Sequence, residues 1–454
     1  MERGERDMRE LAKSDGTLKK ILPAQKLHPD TEYVRSQFTL PFSHEGRHIV
    51  YSTLTRQLWE LDQPLGERFM TSEIEADEDL TTLMKGYFLV PEGKDECAFY
   101  EGLSQMLRAL KKPKGIRGYT ILPTLACNAR CVYCYEEGME QVTMTPEIVE
   151  QTIRYILQTK AEGTIEICWL GGEPLLGESI IDSICNGLQD AGVNYISDMI
   201  TNGSLLTEAL ANKISGLWKV TSVQISMDGA ESDYITRKRY RVYHDTYQAV
   251  MRAVNLLTER GISVAIRCNV DEENLSGVPQ FLADLSAAIP DKDKVRVYLA
   301  PLNEVRTGQE DLAMWERVYD TEILIREGGF HYTPYSGRRF GLRVHHCMAD
   351  AGSVVIKPDG SLFSCEHCPE EAKFGDIWHG VTDETAKYVF CRTDRTREMC
   401  RKCPFLPDCT SFASCPVQDT HCREMQTMQF EHNLMRMMDA PVVGTQEDEQ
   451  IPVC

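Results

Sequence analysis

The sequence predicts an α/β protein: a partial (β/α)6 TIM-like barrel, preceded by a winged-helix-like α+β module and followed by a cysteine-rich region braced by metal. Three observations predict it. At 454 residues the chain is too long for one ordinary domain. Six β-rich runs alternate with helical periodicity through its middle. Its 17 cysteines crowd towards the C-terminus, with Cys97 alone before residue 113.

Residues 1–112 form the first expected domain. Two strand-like runs, Gln37–Phe42 and His48–Ser52, flank the turn-forming Ser43-His44-Glu45-Gly46 and predict a hairpin. Leu58, Leu61 and Leu65 recur at helical spacing, as do Leu80, Leu83 and Met84, before a strand-like Tyr87–Val90 and a helix around Tyr100–Leu110. The order β-β-α-α-β then helix suggests the winged-helix-like unit. Lys111-Lys112-Pro113-Lys114-Gly115 breaks the helix and serves as a linker.

The barrel is expected over residues 113–340. Its strands are Tyr119–Pro123, Thr164–Leu170, Tyr195–Ile200, Val220–Ser226, Ile262–Cys268 and Val295–Leu299. Helical stripes such as Ile180, Ile184 and Leu188, or Val250, Val254 and Leu257, separate them. Repeated βα units with buried strands imply a parallel sheet, whose active site collects at the strands' C-terminal ends.

Over 341–440 strands shorten and periodicity fades, so metal rather than a large apolar core is expected to hold that region together. Residues 441–454 read as an acidic tail, of which Thr445–Cys454 is expected to be disordered. The formal charge of −20 argues against nucleic-acid and anionic-membrane partners. No signal sequence or long apolar run is present, so a cytoplasmic location is expected. Thiols are kept reduced there, so this cysteine count points to metal ligation rather than disulfides.

Just after the first barrel strand stands Cys127-Asn-Ala-Arg-Cys131-Val-Tyr133-Cys134. Three thiolates in one short loop can ligate three irons of a cubane and leave the fourth iron open to a ligand. A structural zinc site would show a fourth Cys or His nearby. The loop resembles that of radical S-adenosylmethionine (SAM) enzymes. The resemblance implies that the open iron chelates SAM and that an electron from the cluster cleaves it to a 5′-deoxyadenosyl radical, with the protein positioning the cofactor. It also implies that Gly171-Gly172-Glu173 after the second strand contacts the SAM amino group. Asn202 after the third strand, Ser226 and Asp228 after the fourth, Arg237, and Asn269 on the fifth stand where relatives contact ribose and carboxylate, with Tyr133 beside them. The spacing from Ser226 leaves Arg239 as an alternative to Arg237.

The second array runs Cys347, Gly360, Cys365, then Cys400-x2-Cys403, Cys409, Cys415 and Cys422. Paired thiolates at short spacing require a metal, zinc or iron. The pattern resembles the SPASM extension of radical SAM enzymes, which implies two auxiliary four-iron clusters and so three [4Fe-4S] clusters in all. Carried over, Cys347, Cys365 and Cys415 hold the first, and Cys400, Cys403, Cys409 and Cys422 the second. Five residues between Cys409 and Cys415, where the family usually has three, weaken the place of Cys415. The fourth ligand of the first cluster is either Cys368 or an open site that accepts a substrate thiolate, with Cys391 a further candidate. Cys97, Cys168, Cys185, Cys268 and Cys454 are expected to be free thiols of no function.

The resemblance, with its N-terminal module, implies a peptide maturase of the sactipeptide or ranthipeptide type. Such an enzyme holds the leader of a ribosomally synthesised precursor peptide by strand addition near Gln37–Ser52. It installs a crosslink, most simply a cysteine thioether, with electrons from a flavodoxin or ferredoxin type donor. Other radical crosslinks, sulfatase-type oxidation of cysteine or serine, and a non-catalytic metal-braced peptide-binding scaffold are the alternatives.

Overall fold

β-branched and aromatic runs pair into sheets where the sequence places them, and the pairing decides the one ambiguous stretch. A computed structural model describes residues 8–12, 22–23, 25, 28, 31–71, 81–110, 114–241, 245–302, 309–332, 352–388, 398–407, 409 and 422–439. Cys347, Cys391, Cys415, Cys454 and the acidic tail lie outside the described residues. The described residues divide into two compact units.

The first unit opens with β1 (Met8–Ala12), β2 (Tyr33–Arg35), β3 (Thr39–His44), β4 (Arg47–Ser52) and β5 (Leu58–Leu61). Helices α1 (Gln63–Thr71) and α2 (Thr81–Lys85), strand β6 (Leu89–Pro91) and helix α3 (Glu96–Leu110) follow. The sheet order is β1-β5-β4-β3, with β2 and β6 paired apart from it. The expected hairpin is β3–β4, and its tip is the two-residue turn Glu45-Gly46, both at positive φ (49° and 78°). That is the turn whose twist matches the flanking strands. One expectation fails: Leu58 and Leu61 lie on a strand, because Leu58 pairs with Tyr51 and Leu61 with His48. The helix that Leu65 belongs to starts only at Gln63. Ladder pairing to β4 on one side and β1 on the other outweighs the helical spacing.

The second unit alternates strand and helix. It runs β7 (Gly118–Ile121), α4 (Pro146–Thr159), β8 (Ile165–Trp169), α5 (Glu178–Asp190), β9 (Tyr195–Thr201), α6 (Glu208–Ser215), β10 (Val220–Ser226), α7 (Glu231–Lys238) and α8 (Thr246–Thr258). Then come β11 (Ser263–Val270), α9 (Val278–Ala288), β12 (Val295–Pro301), α10 (Gln309–Glu327) and β13 (His331–Tyr332). Short elements close it: β14 (Ser353–Ile356), β15 (Ser361–Phe363), β16 (Gly375–Asp376), β17 (Gly380–Val381) and α11 (Glu384–Tyr388). All six expected barrel strands are present, and β7 to β13 are parallel. They sit in a sheet of 11 strands, because β14 adds to β7 in parallel and β15, β16 and β17 follow antiparallel.

Helix starts are set locally. Thr145 caps α4 by accepting from the Ile148 N–H, with Pro146 at the first helical position, and Thr207 caps α6 in the same way through Leu210. The main core lies between the sheet and these helices and includes the fully buried Trp169 and Trp218. Truncating such a side chain typically costs about 3–5 kcal/mol. Strand alternation leaves the other face of the sheet to a second set: Leu122, Cys168, Leu170, Val355 and Phe363.

The chain then returns to the first unit through α12 (Glu398–Arg401), the turn at 402–407, and α13 (Cys422–Asp439). Leu406 joins the cluster of Phe38, Leu54 and Tyr100, while Phe405 and Phe430 pack with Ile49, Tyr51 and Leu58. Thr53 Oγ1 donates to the Pro404 carbonyl at 2.6 Å, and Gln37 Nε2 to that of Arg401 at 3.2 Å.

Candidate active site

The three-cysteine loop leaves the C-terminal end of β7, at the end of the sheet where βα loops gather. Its path is fixed by backbone bonds: Arg130 N–H donates to the Lys238 carbonyl and Val132 N–H to that of Arg237, each at 3.0 Å. The last turn of α7 thus holds the loop. The Ala129 N–H donates to Cys127 Sγ at 3.4 Å, and the Cys134 N–H to the Cys131 carbonyl at 3.1 Å. Burial pushes the Cys127 thiol up to about 11 and raises Cys131 and Cys134, with Lys238 pulling the latter two back down.

Gly171 and Gly172 let the loop after β8 lie directly against this one. A Cβ on Gly171 would stand 2.3 Å from the Thr124 carbonyl oxygen, and one on Gly172 2.5 Å from those of Leu125 and Ala126. Gly171 also has φ +138°, which side chains rarely adopt. The close approach lets the Gly172 N–H donate to Thr124 and the Glu173 N–H to Ala126. Glu173 is therefore fixed beside the cysteine loop and fully buried. Its carboxylate accepts from Thr201 Oγ1 (2.6 Å) and from the N–H groups of Asn202 (2.8 Å) and Leu175 (3.1 Å). Burial raises its pKa, and these donors and the Lys238 charge oppose that. Asn202 Nδ2 bridges to Asn128 Oδ1 at 2.8 Å and approaches Cys127 Sγ at 4.0 Å.

The strand-end residues form a second buried group. Asp228 is wholly buried and paired with Lys238 at 3.4 Å. Lys238 Nζ also donates to Ser226 Oγ (2.7 Å) and the Tyr133 hydroxyl (2.9 Å). Tyr133 donates to Asp228, and Asn269 Nδ2 donates to both Tyr133 (3.0 Å) and Asp228 Oδ1 (2.9 Å). Burial alone would lower the Lys238 pKa, but Asp228, Tyr133 and Cys131 outweigh it and keep the ammonium charged.

Arg237 turns to Asp271 in a two-bond pair (2.6 and 3.2 Å), with its guanidinium 5.8 Å from the Tyr133 ring centre. Arg239, at the left-handed end of α7, donates to the Thr236 carbonyl at the surface. The cation aimed into the site is Lys238, which lies between them and which the arginine spacing hid. The arrangement fits the amino-acid end of SAM: a buried carboxylate and a buried ammonium beside one thiolate loop match a substituent carrying both an amino and a carboxylate group. Glu173 would hold the amino group, and Lys238 with Ser226 the carboxylate.

Of the further expected ligands, Cys365 and Cys368 lie in this second unit. Cys365 Sγ donates to Glu366 Oε2 at 3.5 Å, and the Cys368 N–H donates to the Cys365 carbonyl at 3.1 Å. The ring of His367 between them packs against that of Tyr135, next to Cys134, with centres 4.2 Å apart and planes tilted by 57°. Cys400, Cys403, Cys409 and Cys422 belong to the first unit. Burial lifts the Cys403 thiol to about 11, with Cys409 and Cys400 near enough to add to the rise, and Cys422 opens α13. Among the described residues no three His, Cys, Asp or Glu side chains stand close enough to share one metal ion. Cys97, Cys185 and Cys268 are buried free thiols as expected, but Cys168 is not free: it is disulfide-bonded. An apolar strand had made it look like a small hydrophobe.

The Radical SAM superfamily pattern matches residues 121–285. The chain is 24% identical over 307 residues to AlbA, the antilisterial bacteriocin subtilosin biosynthesis protein of Bacillus subtilis, covering 63% of this chain and 64% of AlbA. It is 30% identical over 264 residues to the GTP 3′,8-cyclase of Stenotrophomonas maltophilia, covering 54% of this chain and 73% of the cyclase. It spans 59% of an uncharacterized Methanocaldococcus jannaschii protein, so this match and AlbA are both covered for less than two thirds of their length. Among solved structures, anSMEcpe with bound AdoMet aligns at TM-score 0.58 and 18% identity, over 71% of this chain and 98% of that one. Streptococcus suis SuiB bound to its precursor peptide SuiA aligns at 0.52 and 14%, over 86% and all of the SuiB chain.

Proposed function

Because this chain belongs to the radical SAM superfamily, we propose that it cleaves SAM reductively and uses the radical to crosslink a ribosomally made precursor peptide, most simply through a cysteine thioether. One observation carries the proposal: Cys127, Cys131 and Cys134 share a loop set against the buried Glu173 and beside the buried Lys238. When bound, a four-iron cluster and SAM supply the 5′-deoxyadenosyl radical. The protein's part is to hold SAM by both ends of its amino-acid group and to bury the reacting centre.

AlbA, by its name, serves the making of a bacteriocin, and SuiB has been seen with a precursor peptide. Both support a peptide substrate. Within residues 1–112, β3 ends the four-stranded sheet among the described residues and is the edge at which a leader would add a strand. Residues 113–340 would then be the catalytic domain and 341–440 the domain of the auxiliary clusters, with 441–454 a tail. Cys365 and Cys368 would serve the first auxiliary cluster together with Cys347 and Cys415, and Cys400, Cys403, Cys409 and Cys422 the second. The balance of the crosslink is simple. With SAM bound, the radical it supplies would take one hydrogen atom from the substrate carbon and the thiol would give up its proton as the carbon–sulfur bond forms, and the clusters that the C-terminal cysteines would hold could take the one surplus electron. A flavodoxin or ferredoxin type protein would supply the electron that starts the cycle.

The test is anaerobic: reconstituted, dithionite-reduced enzyme with SAM alone should release 5′-deoxyadenosine, and the Cys127→Ala variant should release none. Absence of 5′-deoxyadenosine from the wild type would reject catalysis and favour a peptide-binding scaffold. With a cysteine-bearing peptide encoded beside the gene, loss of two hydrogens and of one alkylatable thiol would identify a thioether. Loss of two hydrogens with every thiol retained would identify a carbon–carbon or carbon–oxygen link instead.

A further inference from the structure

We infer that Arg267 binds a carboxylate of the peptide substrate, on the face of the sheet turned away from the helices. Strands β10, β11 and β12 contain two arginines, Arg267 and Arg296, and no Asp or Glu. In a chain with a net charge of −20 that is a local reversal of sign. Alternation along β11 puts Val264, Ile266, Cys268 and Val270 into the core beneath the helices and Arg267 on the opposite face. Ser226 of β10 and Tyr298 of β12 stand opposite Arg267 in register and share that face. Along β11 itself its neighbours there are Ala265 and Asn269. All but Tyr298 are short, and the Tyr298 hydroxyl is engaged by Gln224 Oε1 at 2.6 Å. Arg267 stays half-buried, with part of its surface open.

The charge of Arg267 is unanswered within the protein. Arg237 is paired with Asp271 and Lys238 with Asp228, whereas Arg267 has no carboxylate partner among the described residues. Its Nε donates to Asn269 Oδ1 at 2.9 Å, and neither terminal nitrogen has a hydrogen-bond partner among the described residues. Asn269 in turn donates to Tyr133 and Asp228, so the guanidinium is anchored beside the group that holds Lys238. A guanidinium fixed through Nε presents its two terminal nitrogens as a fork, the geometry that a carboxylate fills with two parallel bonds. The SAM carboxylate already has Lys238 and Ser226. The anion left for Arg267 is the substrate's, either an acidic side chain near the modified residue or the C-terminus of the peptide. The net charge of the protein acts on the whole peptide at a distance, whereas Arg267 acts on one carboxylate already docked. The inference rests on the reading that the substrate is a peptide, and the test separates the two.

The test uses anaerobically reconstituted full-length enzyme, SAM and the cysteine-bearing peptide encoded beside the gene. Two quantities are read: SAM affinity by equilibrium dialysis, and 5′-deoxyadenosine released per crosslink formed. Arg267→Gln should keep the SAM affinity of wild type but raise the 5′-deoxyadenosine released per crosslink about tenfold or more, with Arg267→Lys in between. With wild-type enzyme, changing the responsible Asp or Glu of the peptide to its amide, or amidating the C-terminus, should raise the ratio by a similar factor, and the change that does so identifies the source. The same altered peptide should add no further rise in Arg267→Gln, because the two changes remove one interaction. If Arg267→Gln loses SAM affinity as steeply as it loses coupling, Arg267 belongs to the SAM site and the inference is overturned. An unchanged ratio overturns it too, as does an uncoupled variant whose peptide has no carboxylate that matters. Absence of 5′-deoxyadenosine or of any crosslink with wild type rejects instead the functional reading beneath it. Should Arg267→Gln not fold, the peptide series on wild type decides, and a ratio indifferent to every carboxylate overturns the inference.

Discussion

Lys238 is the side chain on which the proposed SAM site most depends. It is fully buried, charged, and balanced by Asp228. Replacing one member of such a pair strands the other charge in the interior, at a cost of about 3–5 kcal/mol. Lys238→Met should therefore both destabilise the protein and weaken SAM binding. The double variant Lys238→Met/Asp228→Asn should recover most of the stability but not the binding, read by denaturant midpoint and by equilibrium dialysis with SAM. Recovery of both would make Lys238 a purely structural residue. Glu96 supplies a pH-dependent counterpart in the first unit. Its carboxylate accepts from Ser36 Oγ and from the Gln37 N–H at 2.8 Å, and burial raises its pKa above 4.5 despite these bonds. A raised carboxylate pKa means that the folded state binds more protons than the unfolded one just above pH 4.5. Its contribution therefore falls as pH rises through that window. Glu96→Gln should flatten this slope in thermal melts run at stepped pH, and an unchanged slope would show that Glu96 does not set it.

At the scale of elements, the contact between the β8 loop and the cysteine loop is a backbone-to-backbone fit with no room for a methyl group. Gly171→Ala and Gly172→Ala should each cost on the order of 1–3 kcal/mol. Both should lower iron retention, measured as denaturant midpoint of the apoprotein and iron per chain after desalting. Normal values for both variants would mean that the loops have room to part. These glycines were legible in the sequence because their motif follows a strand, and so were the six strands and the β3–β4 hairpin, whose β-branched runs and turn residues agree with their pairing. β5 was not legible, since Leu58, Leu61 and Leu65 satisfy a helical period and only the ladder to β4 and β1 settles the matter. Lys238 was hidden by the arginines on either side, because spacing along a helix end does not tell which of three adjacent cations turns inward. The bond that Cys168 makes was hidden for a different reason: a lone cysteine in an apolar strand looks like packing.

At the scale of the whole molecule, the chain divides its cysteines between two compact units, each with its own apolar core. Cys127, Cys131, Cys134, Cys365 and Cys368 lie in one, and Cys400, Cys403, Cys409 and Cys422 in the other. No helix among the described residues is long and apolar enough to cross a membrane. A net charge of −20 disfavours phosphate-bearing partners and suits a substrate segment that is neutral or basic. The central claim is that the loop after β7 holds a four-iron cluster of its own, separate from those of the other cysteines. The most direct test is iron and sulfide per chain after anaerobic reconstitution, with wild type compared with the variant in which Cys127, Cys131 and Cys134 are all alanine. About twelve irons falling to about eight is the predicted result, and equal iron in the two proteins would contradict it.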